Sequence, residues 1–146
     1  MASLEAKYRE LSLANHPDRN PADRVGAASR TANINEAFKV LKHPVRRAFY
    51  LLGLKGVDLE KVSMPMEFLE GILEQREALE AAMAEKNFVK VRGLAAQIER
   101  DSAVALSAGQ ASLRAGDVAA ATSALAKVRY FGRFLEEVEA IEEDAA

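Results

Sequence analysis

The sequence predicts an all-α protein. Apolar side chains recur at the three- and four-residue spacing of helices, and no segment alternates apolar and polar residues as a half-buried strand does. Several breaks between the periodic segments carry glycine or proline. We therefore expect an N-terminal helical hairpin followed by a C-terminal three-helix bundle.

The first predicted helix ends at a His-Pro-Asp turn. One face of this helix is shared by Leu4, Tyr8 and Leu11. Pro17 disfavours helical geometry at His16 and has no amide hydrogen to donate, so the helix should stop about there. The following residues, from Asp18 to Pro21, are typical of an exposed loop. Such a turn would hold His16 and Asp18 outward, where a partner could contact them.

A second helix is expected to pack antiparallel against the first. Its apolar stripe consists of Ile34, Ala37, Phe38, Val40 and Leu41. His43 stands before Pro44 at the end of this helix, where the helix dipole favours a positive charge. The stripe should face Tyr8 and Leu11 of the first helix.

Gly53 and Gly56 interrupt the helical pattern and mark a boundary. Beyond it, Ser63-Met64-Pro65 is a cap-and-entry sequence for a helix over residues 66–85. A second helix should begin near Asn87 and end around residues 114–116, and a third should follow an N-cap at Asp117. The core side chains expected of this third helix are Leu125, Val128, Phe131, Leu135, Val138 and Ile141. We expect domains at residues 1–56 and 63–146.

The two halves of the hairpin together resemble a J domain. The resemblance rests on His16-Pro17-Asp18 after a short basic helix and on the Arg47-Ala48-Phe49-Tyr50 ending of the second helix. The continuation through residues 51–59 is similar to the HscB type of J-domain co-chaperone in iron–sulfur cluster assembly. This resemblance implies stimulation of the ATPase of an HscA/DnaK-type chaperone. The chaperone-binding residues that it implies are Lys7, Arg9, His16, Pro17, Asp18 and Arg19.

The second half of the chain carries scattered motifs of the same family. Residues 68–77 are similar to its acidic-hydrophobic helix, and residues 126–131 to a basic segment of its last helix. The resemblance implies docking of an IscU-like iron–sulfur scaffold protein through Leu69, Leu73, Glu74, Glu77 and Tyr130. Glu70 and Gly71 depart from the family pattern. Without the resemblance, the pattern favours core positions for the two leucines and a half-buried position in the bundle for Tyr130.

The start of the chain also departs from the J-domain pattern. J domains normally begin with a further short helix, and Met1-Ala2-Ser3-Leu4 leaves no room for one. We therefore expect either a start upstream of Met1 or a J domain truncated at its N terminus. The apolar face of Leu4, Tyr8 and Phe38 would then lack a cover, which makes it a candidate surface for self-association.

Charge is distributed unevenly along the chain. Residues 1–56 hold ten Lys and Arg against five Asp and Glu, whereas residues 57–146 hold ten against seventeen. A basic first half and an acidic second half suggest two different protein partners, although both can be ordinary solvated helix faces. The chain has no cysteine, and it has neither a leader-like nor a membrane-spanning apolar stretch. We expect a cytoplasmic protein with no cofactor or metal of its own and no membrane partner.

Other function classes find less support. Neither His16 nor His43 has partners that would make it catalytic, and phosphate-binding and paired-histidine metal motifs are missing from the sequence. The basic half lacks the dense aromatic-basic stripe of a nucleic-acid binder, so we expect no nucleic-acid partner. Ala115-Gly116-Asp117 resembles a tetratricopeptide turn, but no repeat period supports it. The alternatives left open are a J-domain co-chaperone with another client and a non-chaperone helical interaction module.

Overall fold

The computed structural model describes residues 2–145 and confirms the all-α prediction. It contains six α-helices and, within the described residues, no strand. The helices are α1 (Ala2–Ala14), α2 (Arg24–Lys42), α3 (Pro44–Leu54), α4 (Met66–Ala84), α5 (Phe88–Ala115) and α6 (Val118–Ala145). Short 3-10 turns occupy Pro17–Arg19, Pro21–Asp23 and Leu59–Lys61. The chain divides into two compact units between Leu51 and Leu52, a point that α3 crosses.

In the first unit, α1 and α2 form an antiparallel hairpin, as predicted. The Tyr8 ring stacks on Phe38 with centroids 4.1 Å apart, and the Tyr8 hydroxyl donates a 2.6 Å hydrogen bond to Asn35 Oδ1. Near the other end of α1, Thr31 Oγ1 donates to the Asn15 carbonyl at 3.0 Å. The hairpin buries little, because Ala27 is the one buried residue of α2 and α1 has none.

In the second unit, α5 and α6 form the central pair of helices. The fully buried side chains of this unit include Val91, Ile98, Leu125, Phe134 and Val138. Gly109 lets the two helices approach closely, since a methyl group there would lie 2.7 Å from Leu125 Cδ2. Of the core predicted for α6, Leu135 and Ile141 are only partly buried.

Side-chain caps define two of the predicted helix starts. Asn87 Oδ1 accepts from Lys90 N at the start of α5, and Asp117 Oδ1 accepts from Ala120 N at the start of α6, each at 3.1 Å. Our prediction for α4 was wrong in one detail. Pro65 rather than Ser63 precedes its first turn, and no side chain caps it.

The helices in residues 2–145 are too short or too polar to cross a membrane. The same residues hold no group of three or more His, Asp or Glu side chains placed to bind a metal ion.

Candidate functional site

The His-Pro-Asp turn lies directly after α1 and is exposed. His16 is extended, with φ −63° and ψ 136°, as expected of a residue before proline. Its side chain is 54% exposed and that of Asp18 is 83% exposed. The two side chains with hydrogen-bonding groups in this turn are therefore accessible to a partner, and Pro17 between them is partly buried.

The geometry of the turn shows which ring nitrogen of His16 acts as an acceptor. Its Nδ1 accepts a hydrogen bond from the Asp18 backbone N–H at 3.2 Å, so in this arrangement Nδ1 carries no proton. Nδ1 also lies 3.7 Å from Asp18 Oδ2, a distance that would become an ion pair only if Nδ1 were protonated. With Nδ1 accepting the backbone bond, the other ring nitrogen, Nε2, carries the hydrogen. The turn then offers a partner one donor, Nε2–H, and one acceptor, the Asp18 carboxylate.

Asn20 holds the turn closed. Its Nδ2 donates to the Ala14 carbonyl at 3.0 Å and to the His16 carbonyl at 2.9 Å. The first of these carbonyls is at the end of α1, where backbone acceptors have no partner within the helix. The Asn20 amide therefore ties the helix end and the turn together.

A second asparagine fastens the turn to α2. Asn15 Oδ1 accepts from Arg30 Nε at 2.9 Å, and the Arg30 guanidinium also reaches Asp23 Oδ2 at 3.4 Å. Sequence reasoning missed Asn15, Asn20 and Arg30 as supports. Two asparagines flanking a His-Pro-Asp turn were a usable signal, because asparagine side chains readily bond nearby backbone groups.

We expect Asn20→Ala to loosen this turn. Losing both side-chain bonds should lower the free energy of unfolding by about 1–2 kcal/mol and speed hydrogen exchange at the Arg19 and Asn20 amides, which bond within the turn. Asn33→Ala is the matched control, since Asn33 is exposed on α2 and its side chain makes no hydrogen bond within the described residues. Exchange rates equal to wild type in Asn20→Ala would show that the backbone alone holds the turn.

The basic residues predicted to accompany the turn are exposed. Lys7 Nζ lies 3.2 Å from Glu10 Oε1, so this charge is partly compensated. Arg9 and Arg19 have no carboxylate within ion-pair distance in residues 2–145. These two arginines are thus the free cations among those we singled out.

A second candidate surface lies on α4. Leu69 is 37% exposed and Leu73 57%, whereas α4 buries Ile72, Leu79 and Ala82 instead. The two leucines are therefore surface residues, and the core alternative does not hold. An exposed leucine pair at i and i+4 on a helix that already has a buried face suits a protein contact.

Tyr130 of α6 lies beside this part of α4. Its ring meets Phe68 edge-on with centroids 5.8 Å apart. Further along, Arg76 Nη2 bonds Glu137 Oε1 at 3.0 Å, which shows that α4 and α6 run side by side in the same direction. Tyr130 is partly exposed, so it can extend the leucine surface across the two helices.

Glu74 and Glu77 are exposed on α4, as is Glu70. None of the three has a Lys, Arg or His nitrogen within ion-pair distance among the described residues. The surface defined by Leu69, Leu73, Glu74, Glu77 and Tyr130, called the α4/α6 face below, therefore combines apolar side chains with uncompensated negative charge.

An apolar groove of about 720 Å³ lies elsewhere in the second unit. Phe88, Val89 and Gly93 line it, and Arg92 beside it bonds Glu142 at 3.1 Å. The groove includes none of the residues predicted for either candidate surface.

Comparisons with known proteins match both units. The DnaJ domain profile matches residues 1–50, and the profile of the HSCB C-terminal oligomerisation domain matches residues 64–139. A co-chaperone protein HscB homolog of Cupriavidus taiwanensis is 35% identical over 94% of this chain and 80% of its own length. A homolog of Shewanella amazonensis is 43% identical, over 54% of this chain and 49% of its own length.

Two solved structures share the fold. Chaperone HscB from Vibrio cholerae has a TM-score of 0.78 and 28% identity, over 98% of this chain and 88% of that chain. Human co-chaperone protein HscB has a TM-score of 0.79 over 97% of this chain and 74% of its own, and at 24% identity it supports the fold alone.

Proposed function

This chain belongs to the HscB family of J-domain co-chaperones, and from this premise we propose that it brings an iron–sulfur scaffold protein to an Hsp70-type chaperone. The family membership supports the co-chaperone role and the Hsp70-type partner. The scaffold as client, the residues that contact each partner and a cytoplasmic location are our proposals. We assign the J domain to residues 1–56 and client binding to residues 63–146.

The proposed binding of the chaperone rests mainly on the exposed turn at His16, which neighbouring side chains hold in place. Its donor and acceptor point to recognition of polar groups on a partner, and the bonds from Asn15 and Asn20 keep them positioned. We assign chaperone contact to His16, Pro17, Asp18, Arg19, Lys7 and Arg9. Positive charges around the turn would speed and orient docking on an acidic surface.

The chemical step belongs to the chaperone. A protein without a nucleotide site accelerates hydrolysis in its partner only by binding the hydrolysis-competent conformation more tightly than the resting one. A tenfold stimulation needs about 1.4 kcal/mol of such differential binding. A few hydrogen bonds from a rigid turn can supply this amount.

The proposed binding of the scaffold protein rests mainly on the α4/α6 face. Its exposed leucines and Tyr130 can form an apolar contact, and Glu74 and Glu77 can meet basic groups of the client. The iron–sulfur cluster would be cargo on the scaffold, since this chain has no cysteine thiolate to hold one. Self-association through Leu4, Tyr8 and Phe38, all partly exposed, stays a prediction.

A four-way ATPase measurement tests the proposal. Steady-state hydrolysis by the Hsp70-type chaperone from the same genome is recorded alone, with this protein, with an IscU-type scaffold, and with both. We expect stimulation by this protein and a further, more than additive increase when the scaffold is present.

The possible results separate the alternatives. Stimulation by this protein that the scaffold does not raise, together with no scaffold binding in calorimetry, would indicate a J-domain co-chaperone with another client. No stimulation and no binding would indicate a helical interaction module outside chaperone function.

A further inference from the structure

Arg133 lies beside the α4/α6 face, on its α6 side, although sequence reasoning did not single it out. It is exposed on α6, one turn beyond Tyr130 and one turn before Glu137. Because Tyr130 meets Phe68 and Glu137 bonds Arg76, the stretch of α6 between them follows the stretch of α4 that carries the two exposed leucines.

The guanidinium of Arg133 is uncompensated. Its carbon Cζ lies 5.9 Å from the centre of the Tyr130 ring, a cation–π distance that sets the side chain over the aromatic. Within residues 2–145, no carboxylate lies within ion-pair distance of it, and Glu137, one turn further along α6, bonds Arg76. A fixed cation beside exposed apolar side chains is available to an anionic group of a partner.

The charges on this face are ordered. A helix turns by about 100° per residue, so the position of each α4 side chain relative to Arg76, which touches α6, can be derived. Going round α4 away from α6, the side chains follow in the order Leu69, Leu73, Glu77, Glu70 and Glu74, and exposed Glu80 continues the line of the two leucines about two turns beyond Leu73. The apolar row therefore lies between Arg133 on the α6 side and the acidic row on the far side.

We propose that Arg133 is a specificity-determining residue of the α4/α6 face, which binds an acidic side chain on the scaffold protein and so fixes its docking orientation. The proposal rests on the proposed scaffold-binding function. The matching surface of the scaffold protein would have an apolar centre. It would carry basic groups on the side that meets Glu74 and Glu77, and a carboxylate on the side that meets Arg133. A reversed orientation would bring like charges together, which complementary charge patterns exclude.

Charge variants of Arg133 test this inference by calorimetric titration with an IscU-type scaffold at two salt concentrations. We expect Arg133→Glu to weaken binding by about tenfold, Arg133→Gln by about threefold and Arg133→Lys by less than about twofold, with a smaller salt dependence in the first two. Arg114→Glu is the matched control, because Arg114 is exposed on α5 and, in the described part of the chain, has no carboxylate in ion-pair range. It should leave Kd within about twofold of wild type.

The outcomes are distinct. Equal weakening by Arg133→Gln and Arg133→Glu would overturn the charge role and leave only stacking on Tyr130. Wild-type affinity in Arg133→Glu, with Leu73→Ala still weakening binding, would overturn this inference and keep the proposed function. No binding by the wild type would remove the proposed client and this inference with it. Melting temperatures within a few degrees of wild type confirm that the variants are folded.

Discussion

Replacing His16 by Gln, or Asp18 by Asn, should eliminate stimulation of the chaperone ATPase while leaving the fold intact. Both side chains are more than half exposed, and the Asn20 and Asn15 bonds that close the turn use neither of them. The change in the free energy of unfolding should therefore stay within about 0.5 kcal/mol, as for ordinary surface substitutions. The functional loss should be complete, because these groups are the turn's exposed donor and acceptor.

His43→Gln is the matched control for this experiment. His43 also precedes a proline, is also exposed, and its Nδ1 also accepts from a backbone N–H, that of Arg46 at 3.5 Å. Because it is followed by Pro-Val rather than Pro-Asp, it lacks the neighbouring carboxylate, and stimulation should stay within about twofold of wild type. Steady-state hydrolysis with each purified variant decides the matter, and undiminished stimulation by His16→Gln and Asp18→Asn would refute the role of the turn.

Local chemistry made most of the helix ends predictable. Asn87, Asp117 and the proline after His16 act within a few residues of themselves, so their effect can be derived without knowing the fold. The pairing of Tyr8 with Phe38 was also predictable, since both belong to apolar stripes of neighbouring helices. At α4 the local rule failed, because Pro65 starts the helix with no side-chain cap.

Features that depend on contacts distant in sequence could not be predicted. Leu69 and Leu73 form one pair at helical spacing and Ile72 and Leu79 another, and only the packing of α4 on its neighbours decides that the second pair is buried and the first exposed. On α6 alone, Glu137 would be an expected ion-pair partner for Arg133 at i+4, but it bonds Arg76 of α4 instead. Likewise, Arg129 of α6 donates to the Leu59 carbonyl at 3.0 Å, a bond that no local pattern indicates.

Because Leu69 and Leu73 are exposed and Leu79 is buried, we expect their truncation to have large but different effects. Truncating Leu69 or Leu73 to Ala should weaken binding of an IscU-type scaffold by about 1–2 kcal/mol each, as for contact anchors, with a small change in melting temperature. Tyr130→Ala should weaken it similarly. Leu79→Ala is the internal control on the same helix, because its side chain is 4% exposed. It should lose about 2–5 kcal/mol of stability through the cavity it leaves and keep wild-type affinity per folded molecule.

Thermal melts and calorimetric titrations on the same four variants separate contact from packing. For Leu69→Ala and Leu73→Ala the loss should occur in the titration, since an exposed side chain contributes little to the folded monomer but is buried when a partner docks. For Leu79→Ala the loss should occur in the melt, because a core side chain is already buried in the monomer. Large losses of melting temperature in the two exposed-leucine variants, with undiminished affinity, would show that the scaffold docks on another face of the bundle.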